Sequence, residues 1–348
     1  MKTFLALGLA IGGAAVLIAQ QPAPAPKETV DSHIAAARTA AGTDEDGMFR
    51  RLCDAVSAAP LPAAAPANAA AAAPAAGRGN APRQTPARAT WHAEPVKVFD
   101  NLYWLGQTEF SVWAITTSQG IVVIDTIFDY SVEDEVVEGL KKLGLDPAQI
   151  KYAIVSHGHG DHSGGAKYLQ DHFGTHILLS AADWDLLERT GGPAPSRDMV
   201  VTDGQKLTLG DTTLTMYLTP GHTAGTISTI FPVKDGARTH TAAVWGGTMF
   251  NWLGNGRAYI TPSTPTSYWF KLYSDSATRF RDIATAAGVD VLLSNHTEFD
   301  GSKRKLPAVA ARRAGEPHPY VGGTANVARY LTLVGECAAA GRVKFDGV

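Results

Sequence analysis

Ser156-His157-Gly158-His159-Gly160-Asp161-His162-Ser163-Gly164-Gly165 places three imidazoles and one carboxylate within six consecutive positions. A hydrophobic core has no use for such a density of ligand groups, whereas transition metals do. In extended backbone, alternate residues face the same side, so His157 and His159 can converge on one ion. Asp161 follows two residues later and His162 is offset by one, which lets that pair reach a second ion. Gly158 and Gly160 let the loop turn tightly and bring backbone close to a metal. The apolar run Tyr152-Ala153-Ile154-Val155 just before the motif reads as a strand, and a helix is expected over residues 164–172 just after it.

Two downstream histidines have matching contexts. His222 stands in Thr219-Pro220-Gly221-His222-Thr223, after the alternating run Thr213-Leu214-Thr215-Met216-Tyr217-Leu218. His296 stands in Ser294-Asn295-His296-Thr297, after the buried-strand pattern Val289-Asp290-Val291-Leu292-Leu293. Both lie at strand ends, where ligand-bearing loops gather in layered α/β folds. Imidazole and carboxylate donors suit Zn²⁺, with Fe, Mn and Ni as competitors.

The pattern His-x-His-x-Asp-His, a later Gly-His and a last strand-end His resembles the metallo-β-lactamase superfamily, over roughly residues 92–318. The resemblance implies an α/β fold, the four-layer αβ/βα sandwich, with a dinuclear site at one edge. It further implies two Zn²⁺ per chain, the first held by His157, His159 and His222 and the second by Asp161, His162 and His296. Thioesterase and lactonase relatives carry a bridging Asp in a segment like Thr-Gly-Asp-Thr-Leu-Phe. The matching segment here is Trp245-Gly246-Gly247-Thr248-Met249-Phe250, with Gly247 at that position. Subclass B3 β-lactamases also lack the bridging carboxylate and keep this ligand set, so the resemblance is strongest to them. The iron-binding flavodiiron branch has Glu where this chain has His159. The first lactamase subclass has Cys near the Gly247 position, and the two cysteines here, Cys53 and Cys337, lie far from the motifs.

Composition sets limits on this reading. The chain has 348 residues, 45% of them hydrophobic, and a net charge of −3. No basic stripe or aromatic-basic interleaving marks a nucleic-acid surface, so a small-molecule substrate is expected and nucleic acid is not. Lys2 followed by the apolar, small-residue stretch Phe4–Ala19 reads as a signal peptide over residues 1–19. Periplasmic or secreted location follows, without stable membrane insertion once the leader is removed. Residues 20–57 read as an N-terminal helical extension, with Ile34, Phe49, Leu52 and Cys53 among its docking residues. Residues 58–91 are an Ala/Pro-rich tract lacking the branched and aromatic side chains of a core, hence a linker. The catalytic domain is expected at 92–320, with a docking C-terminal tail at 321–348. The sequence leaves the oligomeric state undefined.

Within the domain, Val96–Phe99, Leu102–Leu105, Phe110–Thr117 and Ile121–Asp125 read as strands. Ser131–Leu143 reads as an amphipathic helix capped by Ser131. A strand at Ile177–Ser180, a helix from Ala181, a long helix over Ser267–Ala287 and a final basic helix over Lys303–Arg313 complete the pattern. Cys53 and Cys337 are the only two cysteines, and in an exported protein a disulfide between them is expected.

Two zinc ions lower the pKa of a shared water, so the expected chemistry is hydrolysis by a metal-bound hydroxide, with Asp161 as catalytic residue and no Ser-His-Asp triad. The substrate-binding residues expected from their positions near the motifs are Asn251, Trp252, Ser294 and Asn295, with Trp184, Asp185 and Tyr259 as further pocket candidates. In subclass B3 enzymes, serines near the Gly247–Asn251 segment help hold the substrate carboxylate. This chain has no serine there, and Arg257 or Lys303 is the replacement anchor expected. The other six histidines read as surface or packing residues, and His318, which follows the last motif, is the first exception to look for. Three function classes follow: a dizinc β-lactamase of the B3 kind; a dizinc hydrolase of another ester, lactone, thioester or amide; and a non-catalytic zinc-binding envelope protein.

Overall fold

The computed structural model describes residues 28–61, 85–253 and 259–346. The expected leader and most of the Ala/Pro-rich tract lie outside these residues, as does Arg257.

The chain opens with helix α1 (Val30–Ala41), which starts at a capping box: Thr29 and Ser32 each take the other's backbone N–H. Helix α2 (Asp46–Phe49), a π-helical turn (Arg50–Asp54) and α3 (Ala55–Ala58) follow. The first sheet has seven strands in sequential order: β1 (Val96–Phe99), β2 (Leu102–Gly106), β3 (Ser111–Thr117), β4 (Gly120–Ile124), β5 (Ile150–Ile154), β6 (His176–Ser180) and β7 (Met199–Val201). Strands β1–β4 form antiparallel hairpins, and β4–β7 are parallel, joined by helical crossovers. These crossovers carry α4 (Glu138–Lys142), α5 (Gly160–Ser163), α6 (Ala166–Phe173) and α7 (Ala181–Thr190).

The second sheet has five strands, β8 (Gln205–Leu209), β9 (Thr212–Leu218), β10 (Ile227–Asp235), β11 (Arg238–Trp245) and β12 (Val291–Ser294), in the order β12-β11-β10-β9-β8. Three long helices complete the chain: α8 (Thr266–Ala286), α9 (Ser302–Ala311) and α10 (Thr324–Phe345).

Period-two alternation sorts side chains into three separate cores. Trp113, Ile115, Val122, Ile124, Ile154 and Leu178 of the first sheet face Met216, Phe231, Ala242, Val244, Val291 and Leu293 of the second. The intervening residues Ala114, Val123, Ala153 and Leu179 point outward, onto Val136, Leu140, Leu169 and Trp184. Ala243, Trp245 and Leu292 point the other way, onto α8 and α10. Helix, sheet, sheet and helix therefore stack as the expected four-layer αβ/βα sandwich.

Several local expectations change. The final helix is α10, not the basic helix α9, and it packs along α8 and α1. Small residues permit the close approach: a Cβ on Gly341 would meet the Phe270 ring at 2.4 Å. Cys337 on α10 bonds Cys53, joining both ends of the chain in one layer. Ser131 stands at the expected N-cap, but its hydroxyl donates to the Phe128 carbonyl and caps no backbone N–H, and the segment begins with a π-helical turn, Val132–Val137. Among the described residues, no helix is long and apolar enough to cross a membrane.

Candidate metal centre

The site lies where the C-terminal ends of β4, β5 and β6 meet those of β9, β11 and β12 at one edge of the sandwich. One backbone and one side-chain hydrogen bond lock the two sheets together there. Ile227 N–H donates to the Ser156 carbonyl at 2.8 Å, and the Trp113 indole N–H donates to the Ser294 carbonyl at 2.8 Å. Carbonyl and amide groups freed at strand ends thus become scaffold for the ligand loops.

His157 and His159 sit in the loop after β5, Asp161 and His162 on α5, His222 after β9 and His296 after β12. The structure brings all six together. The donor atoms of His157, His159 and His222 lie within 4.8 Å of one another, as do those of His157, Asp161 and His162. His296 Nε2 lies 3.1 Å from His162 Nε2 and 3.7 Å from Asp161 Oδ2. His157, His162 and His222 are buried; His159, Asp161 and His296 are partly exposed and form the mouth.

Hydrogen bonds fix which nitrogen each ring offers. His157 Nδ1–H donates to the Gly246 carbonyl at 2.9 Å, and His222 Nδ1–H donates to the Met249 carbonyl at 2.7 Å. Both Nε2 atoms then carry lone pairs, yet they face each other at 3.1 Å. Two lone pairs at that distance repel unless a cation or a donor lies between them. The Asn251 amide nitrogen is close by, 3.1 Å from His222 Nε2 and 3.5 Å from His159 Nδ1. Tyr259 Oη pairs with His159 Nε2 at 3.0 Å, leaving Nδ1 as that ring's free donor. His162 Nδ1–H donates to Asp125 Oδ2 at 2.9 Å, which turns its Nε2 toward Asp161 and His296. Such outer partners set tautomer and ring orientation at metal sites. The donor chemistry and the opposed lone pairs fit a metal of the zinc type.

The electrostatics agree. Burial pushes His157 and His222 well below the ordinary imidazole value, and the neighbouring imidazoles add to the shift. Burial also lowers His159 to about 4 and His296 to about 3. Burial opposes charge on His162 too, but Asp161 and Asp125 outweigh it and push this ring up to about 10. For Asp161, burial raises the carboxyl, and the nearby imidazoles, His162 first, overcome it and hold it well below the carboxylate range. Neutral His157, His159, His222 and His296 and an ionised Asp161 are the protonation states that ligation requires, whereas His162, charged beside two carboxylates, would have to give up its Nε2 proton to a bound cation.

The expected substrate residues divide. Asn251 lies at the first donor set. Trp252 does not line a cleft: it is 1% exposed, packed on Phe250, Phe270 and Tyr273. Ser294 is also buried, its carbonyl bonded to Trp113. Asn295 is buried beneath the site, where its amide donates to Ser156 Oγ and to the Gly246 carbonyl. Its role here is to position the His157 loop. Trp184 is core, and Asp185 pairs with Arg197 on the surface. His318 does not approach the site; it stacks on Phe99 and donates to the Val98 carbonyl.

Two supporting carboxylates were not expected from the sequence. Asp125, at the end of β4, accepts from Ser156 N–H, Ser156 Oγ and His162, with its backbone in the left-handed region at φ 65°. Asp183, buried on α7, accepts Gly158 N–H and the Thr223 hydroxyl on one oxygen. Asp125 had a sequence signal, an acidic residue ending an apolar strand. Asp183 had none.

Residues 108–238 match the sequence model of the Metallo-beta-lactamase superfamily. The chain is 30% identical over 177 residues to a hydroxyacylglutathione hydrolase of Acidiphilium cryptum, covering 49% of this chain and 65% of that protein. The chain thus spans under two thirds of that curated relative. Among solved structures it is similar to BJP-1, a subclass B3 metallo-beta-lactamase of Bradyrhizobium japonicum, at 29% identity and TM-score 0.58, covering 70% of this chain and 92% of that one. It also shares the fold of the FEZ-1 metallo-beta-lactamase of Legionella gormanii, at 21% identity and TM-score 0.63, covering 74% and 98%.

Proposed function

We propose, from the match of residues 108–238 to the Metallo-beta-lactamase superfamily model and the likeness to a subclass B3 structure, that the chain is a zinc-dependent hydrolase with two ions per chain and a B3-type ligand set. His157, His159 and His222 would hold one ion, and Asp161, His162 and His296 the other. The observation that carries this reading is the meeting of five imidazoles and Asp161 from three separate segments at one edge. Gly247 supports the B3-type set over a bridged one: a Cβ there would come within 2.5 Å of His222 Cβ, so the position has no room for a bridging carboxylate.

When bound, such ions supply Lewis acidity that polarises a carbonyl and acidifies water. The chain's own groups do the rest. Asp125, the Gly246 carbonyl and the Met249 carbonyl hold the protons of three rings at Nδ1, so that each Nε2 points inward. Asp161, ionised at the partly exposed mouth, would accept a hydrogen bond from the attacking water. The Asn251 amide, 3.1 Å from His222 Nε2, would donate to a carbonyl oxygen of the substrate.

The ligand set supports opening of a β-lactam amide. A second reading, hydrolysis of another ester, lactone, thioester or amide, is favoured by the absence of serine from Gly247–Asn251. The buried Cys53–Cys337 bridge supports an oxidising compartment, in keeping with periplasmic or secreted location. The test is a panel of chromogenic cephalosporin, lactone and thioester with zinc-loaded and chelator-treated protein. Chelator-sensitive turnover of any of the three is expected. Its absence throughout removes the β-lactamase, lactonase and thioesterase readings.

A further inference from the structure

A cleft of about 710 Å³ opens beside the metal loop, reaching the backbone of Gly158 and Gly160 on either side of His159. That volume suits a small-molecule group. Pro86, Phe128, Tyr130, Leu187, Pro193 and Ala194 give it an apolar wall. The aromatic part of that wall is continuous with the metal ligands. Trp91 meets Tyr130 edge-on at 5.6 Å, Tyr130 stacks on Phe128 at 5.0 Å, and Phe128 meets Phe110 edge-on at 5.2 Å. The Phe110 ring lies 5.0 Å from that of His296. Phe128 and Tyr130 leave part of their rings open to solvent, so the wall is available to a ligand.

Its charge is equally informative. Among the described residues lining the cleft, Asp129 carries the sole charge, and it is negative. Lys303, one of the two anchors expected for a substrate carboxylate, is bound to Glu109 at 2.6 Å and lines a different groove. Arg197 is held by Asp185 and Glu188. An anionic arm here would lose its hydration against apolar rings and meet a like charge. An apolar arm would gain from burial.

Resting on the hydrolase reading and narrowing it, we infer that the substrate is uncharged near the scissile carbonyl: an ester, lactone or amide whose aliphatic or aromatic arm lies along Phe128 and Tyr130. Carboxylate-bearing substrates, β-lactams and glutathione thioesters among them, are disfavoured.

The experiment compares p-nitrophenyl hexanoate with mono-p-nitrophenyl adipate, a pair matched in length and differing in the terminal carboxylate. Zinc-loaded full-length protein is expected to prefer the hexanoate at least tenfold in kcat/KM. Shortening the acyl chain should lower kcat/KM by up to about fourfold per buried methylene. Phe128→Ala and Tyr130→Ala are expected to flatten that dependence. Binding gives a readout independent of turnover: hexanophenone should quench tryptophan fluorescence of the chelator-treated protein more strongly than 5-benzoylpentanoate. Preference for the charged member in both assays overturns the inference while leaving the hydrolase reading intact, and loss of that preference in Arg257→Ala would identify the anchor responsible. Absence of zinc-dependent turnover of either ester, in a protein that also leaves cephalosporin, lactone and thioester untouched, overturns both.

Discussion

One oxygen of Asp183 accepts the Thr223 hydroxyl at 2.7 Å and the Gly158 N–H at 2.9 Å, tying the loop that carries His222 to the loop that carries His157 and His159. Asp183→Ala leaves two buried donors unpaired, a cost of about 1–3 kcal/mol. It should also weaken zinc binding by about 10–100-fold. Asp183→Asn keeps one oxygen that can serve both donors and should recover most of the affinity. Isothermal titration with zinc checks this, and equal affinity in wild type and Asp183→Ala would refute it.

Asp161 is the one carboxylate in the proposed ligand set, and it stands at the mouth. Asp161→Ala should lower turnover by about 10²–10⁴-fold while circular dichroism stays native, because the side chain is not part of any apolar core. Near-normal hydrolysis by the metal-replete variant would remove Asp161 from the mechanism.

Gly247 has no space for a side chain, since an added Cβ lies 2.5 Å from His222 Cβ. Gly247→Ala should displace His222, cost about 1–3 kcal/mol and reduce bound zinc from two ions per chain toward one. Metal content measured after dialysis reads the outcome. Retention of both ions would show that the His222 loop yields without losing its ligand.

Away from the proposed metal centre, His318 gives a pH prediction. Burial lowers its pKa below 6.5, and its Nδ1 accepts the Tyr320 N–H in the neutral form. As pH falls through 6.5 the unfolded chain takes the proton before the folded one does. The stability contributed by the neutral ring is therefore present above that pH and lost as pH falls through the folded value. Urea midpoints should fall between pH 7.5 and pH 5, and His318→Gln should show a shallower fall than wild type. Parallel pH profiles would place the acid sensitivity elsewhere.

The sandwich, and the meeting of six candidate ligand side chains at its edge, were legible because their signals are local. Continuous apolar strands such as Ile121–Ile124 mark two-sided burial, and the six proposed ligands stand in the segments that follow β5, β9 and β12. Helix α10 was not legible as a structural element. Its apolar stripe, Val327, Tyr330, Leu331, Val334, Cys337 and Ala338, has helical spacing, but its small residues gave a weak signal, and its partner surface on α8 is set by tertiary packing. Trp252 was misplaced for a related reason: proximity in sequence to a ligand segment does not say which way a side chain turns, and Phe250, Trp269 and Phe270 draw it into the core. Asp183 escaped notice because its partners, Gly158 and Thr223, are brought to it only when the two sheets close.

The bridge between Cys53 and Cys337 spans 284 positions, which makes nearly the whole polypeptide a covalent ring. A protease that nicks this ring once, wherever it cuts, opens the circle without parting the fragments. The nicked molecule should migrate as one species until a reductant is added, so an intact band on a non-reducing gel is no proof of an uncut chain.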